Sequence, residues 1–192
     1  MKIGIDIDGV LTNKEKFDLD YGTKFSIDNG IFSKKNMSKY NIGEAYSWSC
    51  ELNKNFWKKY YEWYCINIPV RRFASNVIKK LKEEGHEIYI ITARGSEVKN
   101  YSKTSAKALT LDWLSKNEIY FDKIIFTKGE KSKYCIKNKI DIMIEDKEAN
   151  ILDISRFIPV ICFNAGYNSN IEIKNVFRVY DFNEIYDYIS KI

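Results

Sequence analysis

One histidine, His86, stands in a chain of 192 residues, and the four cysteines Cys50, Cys65, Cys135 and Cys162 lie far apart, with no CxxC pair among them. These scarcities exclude a good deal of chemistry. A zinc site built from Cys and His has too few donors at usable spacing. A Ser-His-Asp or Cys-His catalyst would have to use His86, which sits in EEGHEIYI at a helix-to-strand turn with no nucleophile motif beside it. The cysteines are expected as buried free thiols. Runs of about 18 apolar residues are absent, so no membrane-spanning helix is expected. The N-terminus lacks the basic stretch and long apolar core of a signal peptide, which points to the cytoplasm. Internal repeats and low-complexity linkers are absent as well.

What is present suits a globular domain. Hydrophobic residues make up 45% of the chain, enough for a core, and charged residues 30%, enough for solubility. The net charge of +5 comes mostly from lysines dispersed among Glu and Asp. That pattern describes a solvated surface rather than a nucleic-acid track, although a basic mouth for an anionic substrate is compatible with it.

Hydrophobic periodicity sets out alternating strands and helices. Strands are expected at about 2–7, 87–92, 122–127, 140–145 and 159–164, with a sixth at VFRVYD. Helices are expected at 70–84, 103–116, near 132–138, over EANILDIS and over the closing FNEIYDYISKI. In the first of these, Phe73, Val77, Ile78 and Leu81 share one face; in the second, Ala108, Leu111 and Leu114 recur on one side. Continuous apolar strands alternating with helices imply an α/β fold, a Rossmann-like three-layer core with a parallel sheet covered on both faces. Residues 13–69 interrupt the alternation. They are rich in aromatics, and NKNFWKKYYEWYC places Phe56, Tyr60 and Tyr64 on one helical stripe with Trp57 and Tyr61 beside it. The expectation is a core of residues 1–12 and 70–192, with a small, mostly helical cap of residues 13–69 inserted after the first strand. Most of the aromatic belt is expected to be packing. Exposed members could support a homodimer, and one or two could stack on a flat group.

In parallel sheets, ligands bind beyond the carboxyl ends of the strands. Three expected tips read Asp6-Ile7-Asp8-Gly9, Thr92-Ala93-Arg94-Gly95 and Glu145-Asp146. Two carboxylates at the tip of a buried strand cost several kcal/mol each unless a cation or a basic side chain offsets them (roughly,). A carboxylate such as Asp6 can attack phosphorus. Attack on a phosphate dianion calls for a cation, and magnesium fits, held by Asp6, Asp146 and the backbone carbonyl of Asp8. Asp8 could protonate the leaving oxygen and later deprotonate water. Gly9 permits a sharp turn and offers backbone N–H groups to phosphate, and Thr92 offers a hydroxyl and an N–H. FTKGEKSKYC supplies Lys128, Lys131 and Lys133 to balance charge on the transferring group.

DIDGVLT, then IITAR, then a lysine, then IMIEDKEANI resembles the four motifs of the haloacid-dehalogenase-like phosphatases. The likeness is closer to the 5'(3')-deoxyribonucleotidase branch and its bacterial nucleotidase relatives, and it covers nearly the whole chain. The resemblance implies a magnesium-dependent phosphomonoesterase that works through an aspartyl-phosphate and hydrolyses nucleoside monophosphates. By that resemblance Asp6 is the nucleophile, Asp8 the acid/base, Thr92 the phosphate-binding residue and Asp146 the metal-binding acid. Lys131 best matches the motif lysine, with Lys133 second, because GEK precedes a short helix leading to the acidic strand. Ala93 and Arg94 follow Thr92 at the phosphate end; Arg94 contacts either substrate phosphate or the protein itself. The chain reads Glu145-Asp146 where two aspartates are common, leaving Glu145 as an outer-shell ligand or a bystander. The partner expected is a small phosphorylated substrate, with no membrane and no nucleic acid. Competing readings are a sugar phosphatase, a phosphatase for nucleic-acid ends, and a non-catalytic phosphate-binding protein.

Overall fold

The computed structural model describes residues 1–95, 101, 102 and 104–192. Six strands, β1 (Lys2–Ile5), β2 (Glu87–Thr92), β3 (Lys123–Phe126), β4 (Ile142–Glu145), β5 (Val160–Phe163) and β6 (Val176–Val179), form one sheet in the order β3-β2-β1-β4-β5-β6. Every pairing is parallel. The register pairs Ile3 with Ile88 and Ile142, and Ile5 with Ile90 and Ile144, so one face is a block of isoleucine. Tyr89, Ile91, Met143 and Cys162 occupy the other face. This two-sided burial is why the strands read as continuous apolar runs.

The first face is covered by α4 (Ala74–Glu83), α5 (Ala106–Lys116) and α8 (Phe182–Ile189), through Ile78, Leu81, Trp113, Leu114 and Phe182. The second is covered by α6 (Lys131–Asn138) and α7 (Glu148–Ile154), through Cys135, Ile151 and Ile154. The Ser105 hydroxyl caps α5 and the Asp181 carboxylate caps α8, contacts worth about 1 kcal/mol each.

Between β1 and α4 the chain makes an excursion through α1 (Lys14–Asp28), α2 (Ile42–Ala45) and α3 (Cys50–Asn67). It leaves and returns at one place, where Thr12 bridges Val70 and the Arg71 N–H meets the Leu11 carbonyl at 2.7 Å. Phe56 is wholly buried at the centre of this excursion, with its ring 5.1–6.1 Å from those of Phe17, Phe25 and Trp48. Phe56, Tyr60 and Tyr64 form the expected buried stripe, with Tyr61 beside them, and the aromatic cluster is continuous with the isoleucine face of the sheet.

Some expectations change. Helix α4 starts at Ala74 rather than 70, because Phe73 adopts a left-handed conformation (φ 65°) that breaks the helix. Ala74 takes the buried place, and the Phe73 ring turns outward beneath Arg72, 55% exposed. Leu111 is exposed: α5 buries Leu109, Thr110, Trp113 and Leu114 instead, a stripe that Trp113 dominates by size. The expected start of that helix at residue 103 lies outside the described residues. Cys50 is exposed at the start of α3, whereas Cys65, Cys135 and Cys162 are buried thiols as expected. Among the described residues no helix is long and apolar enough to cross a membrane.

Candidate active site

Strand order reverses between β1 and β4, which lie side by side although most of the chain separates them. A crevice opens at such a point beyond the carboxyl ends of the strands. Asp6 follows β1 there, and its N–H is held by the Ile144 carbonyl of β4 at 3.0 Å. Glu145 ends β4 beside it, and Asp146 follows. Oxygens of Asp6, Glu145 and Asp146 lie within 4.8 Å of one another, and all three residues are buried.

Lys131 answers part of that charge. It opens α6, is 2% exposed, and places Nζ 2.7 Å from Asp6 Oδ1 and 2.6 Å from Glu145 Oε2. Lys133, the other candidate, lies at the surface against Glu130. Glu145 is fully satisfied: Oε1 accepts the N–H groups of Asp146 and Lys147, and Oε2 accepts Lys131 and the Asn150 amide. Its longer side chain therefore holds Lys131 and closes the loop that presents Asp146.

Asp146 is different. Its Oδ2 accepts the Tyr167 hydroxyl, its carbonyl accepts the Asn168 amide at 2.7 Å, and its Oδ1 is buried with no partner among the described residues. Burial, and then the charges of Glu145 and Asp6, push its carboxyl well above the usual range. Asp6 is pushed up to about 7, by burial first, with Lys131 pulling down and Glu145 and Asp8 pushing up. Two crowded carboxylates share one ammonium, and a third oxygen is orphaned beside them. Hard oxygen donors with a deficit of positive charge suit a divalent cation such as magnesium, which Asp6 and Asp146 could hold.

Gly9 makes this packing possible. The turn Ile7–Leu11 closes with the Thr12 N–H on the Ile7 carbonyl at 3.0 Å, and Gly9 sits in it at φ 95°. A Cβ there would overlap the Asp146 carboxylate. The Gly9 N–H donates to Thr12 Oγ1 at 3.2 Å, and its carbonyl accepts Arg71 Nη2 at 2.9 Å.

Asp8 turns the other way. Its carboxylate meets Arg94, with Nη2 2.5 Å from Oδ1, and accepts the Tyr64 hydroxyl at 2.6 Å. Burial would raise the Asp8 carboxyl, but Arg94 and then Tyr64 outweigh it and hold it below the ordinary carboxylate range. Thr92 ends β2, is 1% exposed, and accepts the Arg94 N–H on Oγ1 at 3.1 Å.

Asp6, Asp8, Thr92, Ala93, Arg94 and Lys131 line one cavity of about 880 Å³, whose other wall is the inserted segment, including Tyr40, Trp57 and Tyr61. Gly9 and Asp146 pack against each other at the same strand tips. Sequence reasoning missed Tyr64 and Tyr167. Tyr64 was legible only as one ring in a packing stripe. Tyr167 follows β5, the neighbour of β4, so the strand-tip rule would have reached it had it been applied to the fifth strand.

A family model described as "5' nucleotidase, deoxy (Pyrimidine), cytosolic type C protein" matches residues 1–192. The Bacillus subtilis protein "Putative nucleotidase YqfW" is 28% identical over 189 residues, covering 93% of this chain and 88% of its own. Among solved structures, the haloacid dehalogenase-like hydrolase SP0104 from Streptococcus pneumoniae superimposes with a TM-score of 0.66 at 13% identity, covering 98% of this chain and 97% of its own. The Bacillus subtilis protein YfnB, solved bound to magnesium, gives 0.62 at 13% identity, covering 98% of each. At such identities the structures attest the fold.

Proposed function

The chain belongs to the cytosolic type C 5'-nucleotidase family and is a phosphoric monoester hydrolase; from that premise we propose that it hydrolyses nucleoside monophosphates through a phosphorylated Asp6, with magnesium. The observation that carries the reading is Lys131 bridging Asp6 and Glu145 beside the orphaned Asp146 oxygen, at the reversal of strand order. One carboxylate is thereby held by an ammonium and set among groups that also suit a metal and a phosphate.

The substrate phosphate sits against Lys131 and the Thr92–Arg94 turn, with phosphorus facing Asp6. The Asp6 carboxylate attacks as the bond from phosphorus to the ester oxygen breaks. Asp8, protonated once the anionic substrate is seated beside it, gives that proton to the leaving oxygen. The resulting Asp8 carboxylate takes a proton from the water that next attacks phosphorus, and Asp6 is released with orthophosphate. The Asp6 and Asp146 carboxylates and the Asp8 carbonyl would hold magnesium, which supplies positive charge against the carboxylate and phosphate charges that meet there. Residues 13–69 act as a cap over the core of residues 1–12 and 70–192, excluding water from the reaction and limiting substrate size.

The size of the cavity supports a nucleotide. About 880 Å³ exceeds the need of a phosphate and a short alcohol, and falls in the range of sites for ligands of drug size. The aromatic wall offered by the cap suits a flat group. The test is phosphate release from a panel of deoxy- and ribonucleoside monophosphates, sugar phosphates, p-nitrophenyl phosphate and a terminally phosphorylated oligonucleotide, each with magnesium and with EDTA. Magnesium-dependent release led by nucleotides, abolished in Asp6→Asn with the fold intact, is the expected result. Release led by sugar phosphates would keep the chemistry and discard the substrate; full activity of Asp6→Asn would discard the nucleophile.

A further inference from the structure

We propose that Tyr64, a residue of the inserted segment, is a positioning residue for Asp8: with Arg94 it saturates one carboxylate oxygen, and so assigns the other to proton transfer. The proposal rests on the acid/base reading of Asp8 given above.

The contacts on Asp8 are lopsided. Oδ1 receives the Tyr64 hydroxyl at 2.6 Å, Arg94 Nη2 at 2.5 Å and Arg94 Nε at 3.1 Å. Among the described residues, Oδ2 receives only Arg94 Nε, at 3.3 Å. A carboxylate oxygen has two in-plane lone pairs, so three donors leave Oδ1 nothing to offer, while Oδ2 keeps its capacity. A proton carried by Asp8 is accordingly directed to Oδ2. A carboxyl free to rotate would present either oxygen and lose alignment with the reacting oxygen; one fixed by two donor side chains does not.

The donors are themselves held. The Tyr64 ring is buried, with its centroid 4.6 Å from Phe17 and 5.8 Å from Trp57. The Arg94 guanidinium lies between the rings of Tyr64 and Trp113, at 5.1 and 5.4 Å. The Trp113 indole N–H in turn bonds the Ile68 carbonyl just after α3, at 2.8 Å. Tyr64 and Ile68 belong to the end of the excursion, Arg94 and Trp113 to the sheet and its covering helix. Asp8 is therefore completed by both sides at once. When α3 is not seated against α5, Tyr64 is withdrawn and Arg94 is the one side chain left on the acid/base among the described residues, so proton transfer is competent only with the cap in place.

Tyr64→Phe removes the hydroxyl and keeps the ring, and with it the wedge around Arg94. The variant is compared with wild type and Asp8→Asn on two kinds of substrate. One is the alkyl phosphate with the highest kcat/KM in the panel, whose alkoxide needs a proton to leave. The other is p-nitrophenyl phosphate, whose nitrophenolate leaves without one. General acid catalysis contributes about 10²–10⁴-fold, so partial loss of its alignment is expected to lower kcat/KM for the alkyl ester about 10- to 50-fold. The aryl ester should change by less than about threefold, because its kcat/KM reports a step with no need of the acid. A burst of nitrophenolate followed by a slower steady state should appear, since release of Asp6 still needs the base. Equal loss on both esters would overturn the proposal in favour of a packing role, and so would no loss on either. Asp8→Asn separates the two levels. If it spares the alkyl ester, the acid/base reading itself falls; if it shows the selective loss and Tyr64→Phe does not, only the positioning role falls.

Discussion

Lys131 offers the most exacting test of the electrostatics. It is the one cation that touches both Asp6 and Glu145 among the described residues, at 2.7 and 2.6 Å, with all three groups buried. Replacing it by Met keeps the length of the side chain and leaves two carboxylates facing each other, with Asp146 behind. Removing one partner of a buried ion pair costs about 3–5 kcal/mol. Asp6 already stands at about 7 with the lysine present. Without it, Asp6 takes up a proton at neutral pH and relieves one of the repulsions, which places the expected loss near the lower end, about 3 kcal/mol. For a chain of this size that corresponds to roughly 6–12 °C in Tm. The assay is urea denaturation in EDTA at low salt, run as a cycle over Lys131→Met, Glu145→Gln and the double variant. Glu145→Gln keeps an oxygen for the loop N–H groups and discards the charge that Lys131 neutralises. The double variant should therefore recover part of the loss, with a coupling energy of about 1.5 kcal/mol or more. A loss below about 1 kcal/mol for Lys131→Met, or additivity within about 0.5 kcal/mol, would refute the buried bridge.

Three other outcomes are expected. Magnesium should raise the Tm of the wild type in an EDTA back-titration and bind measurably by calorimetry, and Asp146→Asn should abolish both effects; binding that survives in Asp146→Asn would move the cation elsewhere. The thiols should separate by burial, with Cys50 reacting quickly with a thiol reagent while Cys65, Cys135 and Cys162 react only on unfolding. Burial raises those three to about 11, 12 and 11 from an ordinary 9.0. Their contribution to stability is thus intact below pH 9, where folded and unfolded thiols are both protonated, and is lost as the unfolded thiols ionise above it. The loss is on the order of 1 kcal/mol per thiol per pH unit. Urea denaturation at pH 8 and pH 10 should therefore show a smaller drop when the three are replaced by Ala, and an unchanged drop would contradict their assigned burial.

The pattern of Ile3-Gly4-Ile5, the run EIYIIT and the run IMIE were enough to establish a parallel sheet, since only strands buried on both faces are apolar at every step. The same runs located their own ends, and a carboxylate at a strand end is visible without any coordinates, so Asp6, Asp8, Thr92 and Asp146 could be named as candidates from the chain alone. What the chain left open was which polar groups meet. Lys131 and Lys133 have the same chemistry and near-identical context. They stand two residues apart on one helix, on opposite faces, and only the seating of α6 turned the first toward Asp6. Glu145 read as an irregularity until four donors were seen to converge on it. Phe73 and Leu111 fitted a periodic stripe, yet the left-handed turn at one and the bulk of Trp113 near the other put them in solvent. Tyr64 and Tyr167 reach Asp8 and Asp146 across 56 and 21 residues. Hydrophobic periodicity is a local property, repeated within each element, and so it can be read from the sequence. Hydrogen-bond pairing is directional, acts over about 3 Å and joins residues remote along the chain, so it exists only once the elements have packed.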